Sequence, residues 1–541
     1  MPSSSGKAVP KRDYQRWIIA LLVLVALLPF ARAAFFPFVY DDRAIVRANP
    51  DLRGWSALLT VWAKPYWYGA ADAGFYRPAF VAVLAAAWNL GARLPIWFHV
   101  LAIGMHALVT VSVWLMLRRA VAVLPATLAA LWFAVLPVHI EAVANVANSS
   151  EVLVALWCCG LALYLARIDW NAPADRAISW RSALVAGAIY LATFLSKESG
   201  IVAPIAAAVW VWGWRPPART GAGQPHWRSV GPQFWMRWRR VVAALAAAAA
   251  TVFIARRLVL GSFLAAPIAP GLASLTSWQR IWGMLSLGPL IARILVWPAA
   301  LNPEYGPTTL KHLGPSWAAL ATFVCVIATF GLAIRLAWRG DRRLLAAVGW
   351  FVITFGPASN LLSATPQILT ERTLYGPSVA ISCVAALLVT ALIRRIELLA
   401  DRAAMLPARE LARAGIIAVV VTIITATGVK SLRASTVWSS TEAVFRQMIA
   451  VDPAGYRGYW KLAAYLNTRN QPAESLALYE RAYQLYPGDR QLAVDYAQAL
   501  LDSHQPSRAA TVSRTLMQFP ELRRNPGVVS LYLAALGQAY G

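Results

Sequence analysis

PIWFHVLAIGMHALVTVSVWLMLRR, residues 95–119, is an apolar run of membrane-spanning length that stops at two arginines. A helix rises about 1.5 Å per residue, so such a run bridges a hydrocarbon core about 30 Å thick while pairing its own backbone groups. Arg118 and Arg119 mark its cytoplasmic end, because basic residues accumulate on that side. The same pattern recurs, and spans are predicted at roughly 17–37, 121–138, 149–167, 181–195, 200–214, 240–258, 316–336, 343–363, 377–394 and 413–430.

Composition agrees. The chain has 541 residues, 59% of them hydrophobic and only 14% charged, with a mean hydropathy of +0.54. Soluble domains lie nearer half apolar and a quarter charged. The formal charge of +26 would suit nucleic acid. Its carriers, however, sit in short clusters between apolar runs: KAVPKRDYQR (7–16), RR (118–119), WMRWRR (235–240), RLAWRGDRR (335–343) and IRRIELLADR (393–402). Cytoplasmic loops carry such clusters, and no nucleic-acid partner is expected. Cys158, Cys159, Cys325 and Cys383 all lie in apolar runs without metal-ligand spacing and read as small core hydrophobes.

With a cytoplasmic N-terminus (1–16), alternation puts 118–119, 168–180, 215–239, 337–342 and 395–412 inside, and the C-terminal region outside. Two segments fit less simply. Residues 79–92 are short for a span and read as interfacial; 278–297 read as interfacial or re-entrant, although a crossing there would turn every later loop over. Residues 17–33 imitate a signal peptide ending in Ala31-Arg32-Ala33, but apolar character continues through FFPFVY, so an uncleaved anchor is expected.

Past residue 431 the pattern becomes polar and helical. Pro453, Pro487 and Pro520 lie 34 and 33 residues apart. GYWKLAAYLNTRNQPAESLALYERAYQLYP (458–487) has the small-and-aromatic rhythm of a tetratricopeptide repeat, with Leu462, Tyr479, Ala482 and Pro487 at the usual places. The expected organisation is a membrane domain over 17–431 and a short repeat module over 438–541. That module either docks a protein partner or merely stabilises the C-terminus.

The outward loops carry ionisable groups where helices should end. Asp41 and Asp42 follow the first span, with Tyr76 and Arg77 in FYRP (75–78). PVHIEAVANVANSSE (137–151) brings His139 and Glu141; SKESG (196–200) brings Lys197 and Glu198. PEYGP (303–307) precedes a later span, and SATPQILTERTLYGPS (363–378) brings Glu371, Arg372 and Tyr375. Any one of these could be a solvated helix end. All of them on one side imply a polar cavity at the outer membrane face, because ionisable groups at membrane depth are costly and usually functional. Lys197, Arg372, Arg77 and His139 suit a phosphate; Asp41, Asp42, Glu141 and Glu198 suit a general base. The chemistry that fits is glycosyl transfer from a polyprenyl-phosphate sugar to an acceptor hydroxyl.

FVYDDRAIVRAN, YRPAFVAVLAAAWNL, WFHVLAIGMHALV, LPVHIEAVANVANSSE, LSKESG and ILTERTLYGPS follow one another in the order seen in the transmembrane and tetratricopeptide-repeat O-mannosyltransferases. The chain resembles a bacterial relative of that family, itself similar to the C-type glycosyltransferases. The resemblance implies an all-α polytopic bundle of about 11–13 spans with a short tetratricopeptide tail. It also implies a polyprenyl- or dolichyl-phosphate sugar donor and inversion at the anomeric carbon. By the same resemblance the catalytic base is one of the pair Asp41 and Asp42, Lys197 and Arg372 hold the donor phosphate, and His139 with Glu141 line the site; from the residues themselves, Arg77 is a further phosphate-binding candidate and Tyr76, Glu198, Glu371 and Tyr375 are further lining candidates. The acids show no metal-ligand spacing, so no cofactor is expected, a divalent metal being the disfavoured alternative. The acceptor is protein or glycan, and the setting is a bacterial inner membrane with the repeats in the periplasm. The competing readings are a glycan ligase or polymerase using a diphosphate lipid carrier, and a scaffold recruiting envelope proteins through its repeats. The repeat array is shorter than in animal members, and the 259–277 loop matches no motif.

Overall fold

A computed structural model describes residues 11–69, 74–168, 178–214, 232–263, 267–298, 300–402 and 406–540. The start of the basic N-terminal segment and most of the expected inner loops 168–180 and 215–239 lie outside the described residues, as do 403–405. Apart from an isolated bridge between Tyr305 and Leu369, the regular structure described is helical.

Six helices are long and apolar enough to cross a membrane: Pro95–Leu117, Ala147–Leu165, Met236–Leu260, Trp317–Trp338, Glu371–Leu399 and Arg409–Ser439. Val123–Val135 and Pro137–Ala144 make a seventh if taken as one span bent by 49°. Pro137 supplies the reason, since its ring removes a backbone donor and clashes with the preceding turn. The chain is a multi-pass helical membrane protein.

Several expected spans are shorter than their apolar runs. The first, expected over 17–37, is the helix Lys11–Leu27 followed by 3-10 turns at Leu28–Phe30 and Ala33–Phe35. Pro29 at the start of the first turn ends the α-helical ladder. Those expected over 181–195 and 200–214 are Trp180–Ser196 and Ala203–Trp214. The uncertain stretch 278–297 forms Ser277–Ser286 and Gly288–Val296, each well short of a span. Pro78–Leu90 is also short and buries Phe80, Val81, Leu84 and Trp88.

The chain packs into two compact units, one of Met1–Ala266, Val324–Ala358 and Arg372–Thr436, the other of Pro267–Phe323, Ser359–Glu371 and Val437–Gly541. In the first, Ser150–Leu165 and Trp180–Ser196 run antiparallel. Glu151 opens Ser150–Leu165, Lys197 follows the end of Trp180–Ser196, the two helices pack together, and the two side chains meet. Along Tyr375–Arg402, Tyr375 and Arg394 lie about 28 Å apart at 1.5 Å per residue, close to a hydrocarbon thickness. Charged groups therefore collect at both ends of the bundle and leave an apolar middle.

In the second unit the helices Thr441–Val451, Tyr456–Asn467, Pro472–Leu485, Arg490–Asp502 and Pro506–Leu516 pack each on the next, and Pro526–Tyr540 closes on Pro506–Leu516. Tyr456, Trp460, Tyr479, Ala482, Leu492, Leu500 and Leu516 form their core. Pro472, Pro506 and Pro526 each open a helix, where a missing N–H costs nothing. Gly458 lets two helices approach: a Cβ there would sit 3.0 Å from the Ile449 side chain. Tyr456 Oη donates to Asp489 (2.6 Å) and Trp460 Nε1 to Asp495 (2.8 Å).

Candidate active site

The first unit gathers the residues expected in outer loops through a set of backbone staples. Tyr40 adopts a left-handed backbone (φ 51°), which turns the chain sharply after Val39. Asp42 is thereby buried completely. Its Oδ1 accepts from Ala147 N at 2.7 Å, and the Ala147 carbonyl accepts from Tyr66 Oη at 3.0 Å. One residue of the 137–151 segment is thus held from two parts of the segment that follows the first helix.

Three cations largely withdrawn from water come to this region, each with a carboxylate. Arg372 meets Glu141 with its guanidinium and also donates its backbone N–H to Glu141 Oε2 (2.9 Å). Lys197 pairs with Glu151. Arg77 Nε donates to Glu198 Oε2 at 2.8 Å, while Tyr76 N donates to Glu198 Oε1 at 3.0 Å. Arg77 also stacks over the Tyr66 ring, 4.6 Å from its centroid. Gly200 explains the compact SKESG turn, because a Cβ there would lie 2.5 Å from the Thr193 carbonyl oxygen. The turn folds onto the end of the helix it leaves, presenting Lys197 and Glu198 in succession.

The pairs belong to one electrostatic neighbourhood. Lys197 feels the charges of Arg77 and Arg372 as well as Glu151, and Arg372 feels Asp41. Burial pulls Lys197 down to about 8, against the pull of Glu151. Burial also pushes Asp42 up to about 7, opposed by the backbone N–H groups it accepts from and reinforced by Asp41. For Glu198, burial pushes the carboxyl up, but Arg77, Lys197 and the hydrogen bonds it accepts together hold it below the usual range. Asp41 is half-buried, unlike its neighbour.

Other expected lining residues sit elsewhere. His139 and Tyr375 are fully buried with Phe133 and His106 in a layer of rings. His139 Nε2 bonds Ser378 Oγ (2.8 Å) and His106 Nδ1 bonds Tyr375 Oη (2.7 Å), tying helices together. Glu371 falls in the second unit, where it accepts from Asn302 N (2.7 Å) and Tyr305 Oη (2.9 Å). Two participants escape sequence reasoning. Glu151 closes a quoted motif, yet nothing there says that it faces Lys197. Arg256 donates to the Gly74 carbonyl (2.6 Å) and reaches Glu198 at 3.8 Å; a basic residue at each end of one apolar helix was its only signal. Among the described residues no three His, Cys, Asp or Glu side chains gather as a metal site would require.

A multi-pass helical bundle with a paired-charge cluster at one end defines the class of protein. No family model matches the chain. It is similar to the mouse protein named Protein O-mannosyl-transferase TMTC3, 25% identical over 380 residues, covering 66% of this chain and 41% of the relative. The fruit-fly Tmtc3 of the same name is 26% identical over 406 residues (63% and 42%). Human TMTC4 is 31% identical over 160 residues, covering 26% of this chain and 22% of its own. The resemblance read from the ordered motifs is thus to the proteins that bear the O-mannosyl-transferase name, and the chain spans about two fifths of the length of the TMTC3 relatives. Among solved structures, ArnT from Cupriavidus metallidurans aligns with a TM-score of 0.38 at 11% identity, over 84% of this chain and 81% of that one. The archaeal oligosaccharyltransferase AglB from Archaeoglobus fulgidus aligns with a TM-score of 0.40 at 13% identity, over 78% and 56%.

Proposed function

We propose that this protein is a membrane glycosyltransferase that moves a sugar from a polyprenyl-phosphate donor to an acceptor hydroxyl on the outer face of a bacterial inner membrane. The observation that carries the reading is that Arg77, Lys197 and Arg372, each beside a carboxylate and largely withdrawn from water, share one electrostatic neighbourhood, in which Arg372 also feels the half-buried Asp41. The O-mannosyl-transferase name of the relatives supports the same class and makes mannose the first sugar to try.

In this reading Asp41 is the base and Asp42 positions it. Asp42 is committed to backbone N–H groups, whereas Asp41 keeps access to solvent and feels Arg372. The acceptor oxygen attacks the anomeric carbon as Asp41 takes its proton. The bond from that carbon to the phosphate oxygen breaks, and the polyprenyl phosphate leaves with the electron pair, inverting the configuration. Lys197 and Arg372 neutralise the departing phosphate. Before the donor arrives, Glu151 and Glu141 spare these cations the cost of lying buried and unpaired. No metal is assigned a role, and turnover is expected to persist in EDTA. The C-terminal helices are assigned to acceptor recognition.

The test is transfer in proteoliposomes from polyprenyl-phosphate mannose to a panel of peptide and glycan acceptors. Donor consumption that depends on Asp41 supports the reading; no consumption of any lipid-phosphate sugar overturns it.

A further inference from the structure

At the other end of the same helices lies a cavity of about 920 Å³ with six arginines on its wall: Arg119, Arg339, Arg342, Arg343, Arg394 and Arg413. Two carboxylates share the wall, Asp341 and Glu397. Both are already taken. Asp341 accepts from Arg343 Nε and Nη2 (2.8 and 2.6 Å), and Glu397 pairs with Arg409 (3.2 Å). Arg342 lies over the Trp212 ring at 5.0 Å, and Arg119 donates to the Ala166 carbonyl at 3.2 Å. Among the described residues no hydrogen bond or ion pair engages the guanidinium groups of Arg339, Arg394 and Arg413.

A basic inner end by itself needs only charge on the right side of the membrane. Here the charge is turned into a concave space whose walls include Leu124, Ile393 and Trp214. The turn that carries Arg339, Arg342 and Arg343 reverses at Gly340, whose φ of 94° favours glycine. Where Gly213 borders the cavity, a Cβ would meet the Ala346 Cβ at 2.1 Å, so the helices there are in close contact. A tight apolar wall under a rim of free guanidinium forks suits a phosphate group attached to something apolar or carried alone.

We propose that this cavity is a second anion site, distinct from the donor site, which binds a phosphate-bearing ligand through Arg339, Arg394 and Arg413. The ligand is either the headgroup of an anionic phospholipid or a soluble phosphate compound. The experiment uses the full-length protein in mild detergent. Native mass spectrometry reads retention of cardiolipin against phosphatidylcholine, and equilibrium dialysis reads binding of pyrophosphate. Wild-type protein is expected to favour the phosphate-rich probe, and the combined variant Arg339→Gln, Arg394→Gln, Arg413→Gln to lose about tenfold or more in affinity, since each lost charge-assisted fork is worth a good fraction of a decade. Should that variant fail to fold, Arg394→Glu alone reverses one exposed charge and is expected to weaken binding in the same direction. Retention of cardiolipin in excess pyrophosphate identifies a lipid; pyrophosphate binding that displaces cardiolipin identifies a soluble phosphate. Equal retention of cardiolipin and phosphatidylcholine without pyrophosphate binding overturns the proposal, as does a folded variant that binds like wild type.

Discussion

The two ends of the membrane bundle use charge in opposite ways. At the end with Asp41, Arg77, Lys197 and Arg372 each have a carboxylate partner and are largely withdrawn from water. At the end with Arg339 and Arg394, arginines outnumber carboxylates and those two lie exposed. Desolvating a charge is affordable only when a partner is fixed beside it, so paired buried charge marks positions set by geometry. Exposed, unpaired basic charge is cheap to place and sets orientation and affinity for anions.

The largest effect that would break this comparison belongs to the base. Asp41→Asn is expected to cut transfer by about 10²- to 10⁴-fold, the range for loss of a general base, with donor binding retained. Asp42→Asn keeps an acceptor for Ala147 N and is expected to stay within about tenfold of wild type, because a neutral oxygen still makes the hydrogen bond. If Asp42→Asn is the dead variant and Asp41→Asn the active one, their roles are exchanged.

Next come the pairs. Arg372→Gln leaves Glu141 buried with its guanidinium partner gone, and is expected to destabilise the protein by about 3–5 kcal/mol. Adding Glu141→Gln should restore most of the thermal stability without restoring donor affinity. Recovery of both would make the pair structural. At the arginine-rich end, Arg394→Gln is expected to change thermal stability by less than about 0.5 kcal/mol, as exposed substitutions do.

A pH series sharpens the contrast. With Lys197 at about 8, its positive charge is complete below that value and is lost as pH rises through it. Donor affinity should therefore fall across that range. Glu151, Arg77 and Arg372 surround the ammonium; the two arginines keep their charge throughout, so the fall is partial. Asp42 gives the opposite test. Its carboxyl is raised from 3.8 to about 7 on folding, so the folded state binds its proton more tightly than the unfolded chain does. Its contribution to stability is complete below pH 3.8 and is lost as pH climbs through 7. Asp42→Asn should flatten that slope in a melting series.

A modest effect is expected in the second unit. Tyr456→Phe removes a buried hydrogen bond to Asp489 and should cost about 1 kcal/mol, with transfer unchanged.

Much of this was legible in the sequence. Apolar runs ended by arginines gave the bundle and its basic end, because hydropathy and loop charge are local properties. The outer segments were legible as a group, since charge beside so many apolar runs needed one explanation. Their pairing was not. Glu151 and Lys197 stand far apart in the chain, and only the packing of two helices brings them together. Nor could sequence separate Asp41 from Asp42, because the difference is a turn at Tyr40 that buries one and leaves the other half open. His139 and Tyr375 read as polar lining, and sequence does not show that both are fully buried, His139 bonding Ser378 and Tyr375 bonding His106. Helix lengths were overestimated where Pro29 and Pro137 interrupt apolar runs.

The most direct measurement is donor binding and transfer side by side in Asp41→Asn protein in proteoliposomes. The account predicts that a polyprenyl-phosphate sugar is bound with wild-type affinity and is not transferred. Transfer at the wild-type rate by this variant would contradict it.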